Sequence, residues 1–259
     1  MSLAFSSAGD PNNTPVILLH AFPLNHQMWR HQLEGLSESA YVLAPDLPGF
    51  GESPLSETPG SMSDYVKQII TFMGEQKIEQ AVLGGCSMGG YILFEFWRTM
   101  PRRILGLILY DTRAEADSGE QINNRLKMAE TVRNEGVGML VKDMPEKLLG
   151  KTTQTNNKEM VREIENTIKT TPPEGVVQAQ VAMASRPGSL VTLESIIAPT
   201  LIIVGEEDIL TPPSAAETMH QKIPTSELVL IKKAGHLSPL EQPGPVNLAM
   251  HNFLQSTCA

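Results

Sequence analysis

The sequence predicts an α/β fold with a mostly parallel central sheet and helices on both faces, and three features predict it. Short apolar runs recur along the 259 residues, stretches of helical periodicity separate them, and one run ends in a glycine-flanked serine at a strand-to-helix junction. The first half carries Val16-Ile17-Leu18-Leu19, Tyr41-Val42-Leu43-Ala44, Ala81-Val82-Leu83-Gly84 and Leu107-Ile108-Leu109-Tyr110. Runs this short and this apolar suit strands covered on both faces. Thr200-Leu201-Ile202-Ile203-Val204 and Glu227-Leu228-Val229-Leu230-Ile231 resume the pattern, and an apolar terminal stretch follows from Val246 to Leu254. The intervals leave the strand order open.

Between the runs at Leu107 and Thr200 lies a long segment that favours helix. Ile122, Leu126, Met128, Ala129 and Val132 recur periodically from Glu120 to Asn134, apolar positions recur again from Met160 to Ile168, and Thr171-Pro172-Pro173 interrupts or starts another helical element. A structureless connection of that length is disfavoured in a compact domain. Residues 112–195 therefore read as a helical cap inserted into a core built from 1–111 and 196–259. Met128, Met139, Met144 and Met183 read first as cap packing, with an adaptable apolar pocket as their alternative use.

Composition narrows the function classes. A hydrophobic content of 41% supplies a substantial core, and 29 acidic against 20 basic residues give a net charge of -9, which argues against general nucleic-acid binding. No apolar run is long enough to span a membrane, and the polar start Met1-Ser2-Leu3-Ala4-Phe5-Ser6-Ser7 lacks the basic region of a secretion signal, so cytoplasmic residence is expected. The two cysteines, Cys86 and Cys258, stand too far apart for a dense disulfide scaffold, and Cys86 reads as a packing residue.

The chemistry concentrates at Gly85-Cys86-Ser87-Met88-Gly89, between the run Ala81-Val82-Leu83 and the helix-like Tyr91-Ile92-Leu93-Phe94-Glu95-Phe96-Trp97. Small residues allow a tight elbow there, and the helix start supplies unpaired amides beside the Ser87 hydroxyl. A neutral hydroxyl is a poor nucleophile without a base, and His236, in Ala234-Gly235-His236-Leu237-Ser238-Pro239 beyond an apolar run, is the candidate. Asp208 follows another run in Gly205-Glu206-Glu207-Asp208 and is the candidate acid to orient that histidine, with Glu206, Glu207 and Asp111 as competitors. An oxyanion needs two oriented donors. The Met88 amide after the serine and the Phe22 amide in His20-Ala21-Phe22-Pro23 are the candidates. His20 reads as a structural hydrogen-bonding group that shapes this donor loop, and Asp46 as a structural acid in a Pro-Gly-rich turn.

Together these segments, with Asp46-Leu47-Pro48-Gly49-Phe50-Gly51-Glu52-Ser53 and Gly235-His236-Leu237-Ser238-Pro239, resemble the α/β-hydrolase superfamily, especially its small cofactor-independent esterases and 3-oxoadipate enol-lactonase-like hydrolases. The resemblance spans nearly the whole chain and implies the triad Ser87-Asp208-His236 with oxyanion donors at Phe22 and Met88. Ala21 stands where a glycine often follows the corresponding histidine, and Ser87 replaces the aspartate nucleophile of related haloalkane dehalogenases, which disfavours carbon–halogen cleavage. The expected reaction is hydrolysis of a small or medium carboxylic ester through an acyl-enzyme, with no metal and no organic cofactor; the scattered His26, His31, His220 and His251 lack a metal-ligand spacing. Apolar cap residues and sparse basic charge point to short neutral esters, with Phe22, Trp29, Met88 and Met144 as candidates for pocket packing. Lactones are the alternative substrates, and a noncatalytic ligand-binding or signalling protein is the alternative class.

Overall fold

The computed structural model describes residues 2–56 and 60–257. Its strands are β1 (Phe5–Ala8), β2 (Pro15–Leu19), β3 (Tyr41–Pro45), β4 (Ala81–Cys86), β5 (Ile104–Tyr110), β6 (Thr200–Gly205) and β7 (Ser226–Ile231). They form one sheet in the order β1-β3-β2-β4-β5-β6-β7, parallel throughout except that β1 runs antiparallel to β3. Each apolar run read from the sequence is one of β2 to β7. Strand β1 was not anticipated: Phe5-Ser6-Ser7-Ala8 is a half-exposed edge whose pairing with β3 leaves no continuous apolar signal.

Helices flank the sheet. In the first half these are α1 (Arg30–Leu36), α2 (Met62–Glu75) and α3 (Met88–Thr99), with α2 packed along α3. Among the described residues six helices then separate β5 from β6: α4 (Gly119–Glu135), α5 (Gly138–Leu148), α6 (Lys151–Asn156), α7 (Lys158–Thr170), α8 (Pro173–Ser185) and α9 (Leu190–Leu193). They are the inserted cap, and α4 against α8 is its main internal contact. Ser118 starts α4 with a capping box: its hydroxyl accepts the Gln121 N–H while the Gln121 side chain accepts the Ser118 N–H. The chain returns through β6, α10 (Pro213–Lys222), β7, α11 (Ser238–Glu241) and α12 (Pro243–Thr257), and α12 packs on α1. Among the described residues no helix is long and apolar enough to cross a membrane.

The core lies where β2, β4, β5 and β6 are covered on both sides, so the loops at their carboxyl ends meet on a rigid base. The tightest of these passages runs from β4 into α3. Ser87 holds φ 53° and ψ −108°, a left-handed conformation that a non-glycine residue adopts only when its surroundings impose it. A Cβ added at Gly85 would lie 2.5 Å from the Gly89 carbonyl carbon, and one at Gly89 only 2.4 Å from the Leu19 carbonyl oxygen on β2. Both glycines therefore allow backbone to pack directly on backbone. Gly89→Ala is expected to destabilise the fold by about 1–3 kcal/mol, because its obstacle is main chain rather than a movable side chain. Differential scanning calorimetry checks this, and an unchanged Tm would contradict the packing argument.

Candidate active site

Ser87 stands at the start of α3, partly exposed, and among the described residues its hydroxyl makes no hydrogen bond. Its main chain is fixed instead: its N–H donates to the Tyr110 carbonyl at 3.0 Å, and its carbonyl accepts the Thr112 hydroxyl at 2.8 Å. Helix α3 begins at the next residue, so the Met88 amide belongs to the unpaired first turn. Neither the Met88 nor the Phe22 amide has a partner among the described residues. His20, wholly buried behind the Phe22 loop, accepts the Leu47 N–H at 2.9 Å through Nε2 and donates from Nδ1 to the Ala21 carbonyl at 3.0 Å. Burial pushes its pKa down to about 4 against the pull of Asp46, so it is a neutral strut at ordinary pH. Asp46 in turn accepts the His26 amide, the His26 ring and the Glu52 amide.

His236 and Asp208 form the buried pair of the site. His236 Nδ1 donates to Asp208 Oδ2 at 2.8 Å, which leaves Nε2 as the free acceptor. Asp208 is held by the amides of Leu210 and Thr211 on Oδ1 and by the Thr211 hydroxyl on Oδ2, an arrangement that fixes the carboxylate before it meets the ring. Burial of the imidazole opposes a charge on it. The Asp208 charge and hydrogen bond, with Asp111 and Glu241 further away, outweigh burial and raise the His236 pKa above the ordinary histidine value. Ser87 and His236 line the same cavity without a hydrogen bond between them, a separation common where no substrate draws the groups together.

Asp111 lies in the same buried cluster and does a different job. Its carboxylate accepts the Gly205 amide at 2.8 Å and both the amide and hydroxyl of Ser238, tying the ends of β5 and β6 to α11. It makes no hydrogen bond to His236. Burial first, and the Asp208 charge second, push its pKa up to about 7. Of the other competing acids, Glu207 accepts the Thr152 amide and hydroxyl in the cap, and among the described residues it makes no hydrogen bond to the histidine.

The histidine loop is stitched to the cap. The His236 amide donates to the Leu148 carbonyl at the end of α5. Buried Glu241, which the sequence reading passed over, accepts the Gly235 and Leu237 amides on Oε1 and the cap's Gly150 amide on Oε2. Beneath the loop, Cys86 packs its thiol 3.7 Å from the His236 carbonyl, and burial raises that thiol's pKa well above the ordinary value. Cys258 lies outside the described residues.

The cavity between cap and core has a volume of about 250 Å³. Phe22, Met128, Met144, Leu148, Met183 and Leu210 give it apolar walls, whereas Trp29, Met88 and Met139 do not line it. Trp29 is fully buried against Tyr110, and the Met88 side chain is buried in the core. The expectation of sparse basic charge is also corrected, because Arg113, Arg125 and Lys147 line the cavity beside Gln121, Asn124 and Gln180. A basic residue in phase with the buried stripe, as Arg125 is with Met128 and Val132 on α4, was the available signal.

Comparison with known proteins agrees with this architecture. A family model described as alpha/beta hydrolase fold matches residues 14–243. The solved structure of a thermophilic esterase from Thermogutta terrifontis, with malate bound, is 40% identical, superposes with a TM-score of 0.96 and covers 99% of this chain and 94% of its own. Among curated proteins, 3-oxoadipate enol-lactonase 1 of Acinetobacter baylyi is 26% identical over 95% of this chain and 91% of its own length. The dihydrolipoyllysine-residue acetyltransferase component of the acetoin cleaving system of Pseudomonas putida is 29% identical over 98% of this chain, which spans only 66% of that longer protein.

Glu241 gives a direct test of the stitching. Both carboxylate oxygens face main-chain N–H groups, so Glu241→Gln must turn its NH2 toward a donor, at an expected cost of about 1–3 kcal/mol. Thermal denaturation should show a lower Tm for Glu241→Gln, whereas Glu206→Gln, outside this network, should leave it unchanged.

Proposed function

The chain belongs to the α/β-hydrolase fold family, and within it we propose that it is a carboxylic ester hydrolase that works through an acyl-enzyme on Ser87. One observation carries this reading: a strained serine and a histidine whose far nitrogen is bound to a fixed carboxylate at 2.8 Å open onto one cavity. The similarity to the Thermogutta terrifontis esterase over nearly the whole chain supports it. In this reading His236 Nε2 takes the Ser87 proton as Oγ attacks the ester carbonyl. The resulting oxyanion sits between the Phe22 and Met88 amides, donors free of partners among the described residues. Collapse of the tetrahedral intermediate expels the alcohol, which receives the proton from His236. Water then attacks the acyl-enzyme with the same histidine as base, the acid departs, and Ser87 recovers its proton.

Asp208 is the acid of this scheme because it, and not Asp111, bonds the imidazole. Its negative charge stabilises the imidazolium formed in each step, and its hydrogen bond keeps the proton on Nδ1 so that Nε2 can act. Residues 112–195 close the cavity as a cap and exclude water from the developing charge. Lactones are a second substrate class for the same groups, supported by the similarity to the enol-lactonase.

Ser87→Ala is expected to lower kcat/KM for short methyl esters by at least about 10⁴-fold with no loss of folded protein. Wild-type protein should label with a fluorophosphonate and the variant should not. Retained turnover would reject the covalent route, and absence of both turnover and labelling in the wild type would favour the noncatalytic binder.

The pH profile tests the acid. A general base must be neutral, so kcat/KM falls as pH falls through the His236 pKa, and the acid limb should have its midpoint above the ordinary histidine value of 6.5. Asp208→Asn removes the main raising interaction and should shift that midpoint down while cutting the plateau rate by about 10²–10⁴-fold. Asp111→Asn should change both far less, and the opposite ranking would transfer the orienting role to Asp111.

A further inference from the structure

We infer that the physiological substrate carries a carboxylate a short chain away from its ester carbonyl, and that the guanidiniums of Arg113 and Arg125 bind it. This rests on the ester-hydrolase reading above and names the substrate class of the same site.

The inference starts from a charge imbalance. Asp117 is buried and accepts ion pairs from Arg113, Arg125 and Arg186. Burial opposes its ionisation, but the arginines, Arg186 foremost, hold its pKa down at about 2, so its charge is fixed. Three guanidiniums thus share one carboxylate, and two positive charges are left over. Glu115 does not supply the missing charge, because among the described residues its carboxylate makes no ion pair and its Oε2 is buried without a hydrogen bond. Nor does any carboxylate line the cavity among the described residues, while Lys147 adds a further positive charge to it.

The three arginines are not equivalent. Arg186 is the least exposed, grips Asp117 with both terminal nitrogens, at 2.8 and 2.9 Å, and stacks on the Tyr91 ring at 3.9 Å. By itself it neutralises Asp117. Arg113 spends Nη2 on Asp117 at 2.6 Å and also hydrogen-bonds the Tyr91 side chain, while its buried Nε has no partner. Arg125 spends Nε on Asp117 and Nη1 on Gln180 and the Met183 sulfur. These two line the cavity with Ser87 and His236 and keep donors uncommitted, held in place from behind by the buried acid. Two guanidiniums that share one already neutralised carboxylate keep charge and donors to spare, and a carboxylate is the planar anion their fork geometry matches. The small cavity volume keeps that carboxylate close to the ester.

The test compares pairs of esters that differ only in a carboxylate in place of a methyl group. Monomethyl glutarate against methyl pentanoate places the charge on the acyl side, and butanoyloxyacetate against ethyl butanoate places it on the alcohol side. For at least one pair the charged ester should have the higher kcat/KM by about 10- to 100-fold, the worth of a charge-assisted hydrogen-bonded pair. That ratio should collapse toward one in Arg125→Gln and in Arg113→Gln, mainly through KM. Asp117 keeps Arg186 in both variants, and circular dichroism verifies that each is folded. Separately, calorimetry on Ser87→Ala should detect binding of monomethyl glutarate or butanoyloxyacetate, lost when Arg125→Gln is added. Neutral esters cleaved as well as charged ones in both pairs would overturn the inference and leave the hydrolase reading intact. Failure of all four esters would count against that reading, and calorimetry would still decide the carboxylate site: Arg125-dependent binding upholds it, and no binding overturns it.

Discussion

The passage of the chain from β4 into α3 is the constraint on which the rest of the molecule turns. For Ser87 to stand at the sheet edge with its hydroxyl free, the backbone must enter a left-handed conformation and reverse into a helix within one residue. That is possible only because Gly85 and Gly89 let the helix start settle onto the carbonyl of Leu19. The strain is held from three directions. The neighbouring strand supplies the Tyr110 carbonyl, the start of the cap connection supplies the Thr112 hydroxyl, and β2 supplies the surface on which Gly89 rests. A local distortion of this kind persists when the surrounding packing determines it more strongly than the residue's own preference. The parallel sheet is therefore what makes the exposed serine affordable.

Around that point the charges are sorted by depth. Behind the imidazole lie three buried carboxyl groups, Asp208, Asp111 and Glu241, each carrying several hydrogen bonds. Only Asp208 bonds the ring, and its pKa is lowered by the histidine and its hydrogen bonds despite burial, while Asp111 and Glu241 are pushed up. Burial pushes both of these up, joined at Asp111 by the Asp208 charge, and both accept main-chain N–H groups beside the fixed Asp208 anion. In front, on the cap side, the uncompensated arginines face the cavity. The cavity between the two layers thus has basic residues on its cap side, and the His236 ring that lines it is backed by the Asp208 carboxylate.

Much of this was legible because buried parallel strands announce themselves as apolar runs, and because the groups at their carboxyl ends follow directly in sequence. Ser87, Asp208 and His236 each come just after such a run, and the structure brings Asp208 and His236 into direct contact. What was not legible depends on partners far apart in the chain. Strand β1 is held by pairing with β3 and carries no periodicity of its own. The choice between Asp208 and Asp111 turns on which carboxylate reaches the ring, a distance that no local pattern encodes. The basic cavity was missed because Arg113 follows β5, Arg125 sits on α4 and Lys147 on α5, and only the fold assembles them.

The cap follows the same logic and cannot be treated as a detachable lid. Its α5–α6 junction receives the His236 amide on the Leu148 carbonyl and gives the Gly150 amide to Glu241, the same side chain that holds the Gly235 and Leu237 amides on either side of the histidine. Glu207, one residue before Asp208, accepts the Thr152 amide from the next turn of the cap. Both loops that carry the buried pair are therefore anchored to inserted sequence rather than to the sheet alone. A buried carboxylate that accepts three amides tolerates little displacement, since each lost bond would strand a donor away from water. Variation in the cap is accordingly free to act on the cavity wall contributed by α4 and α8, and constrained at the α5–α6 junction, where main chain meets the histidine loop.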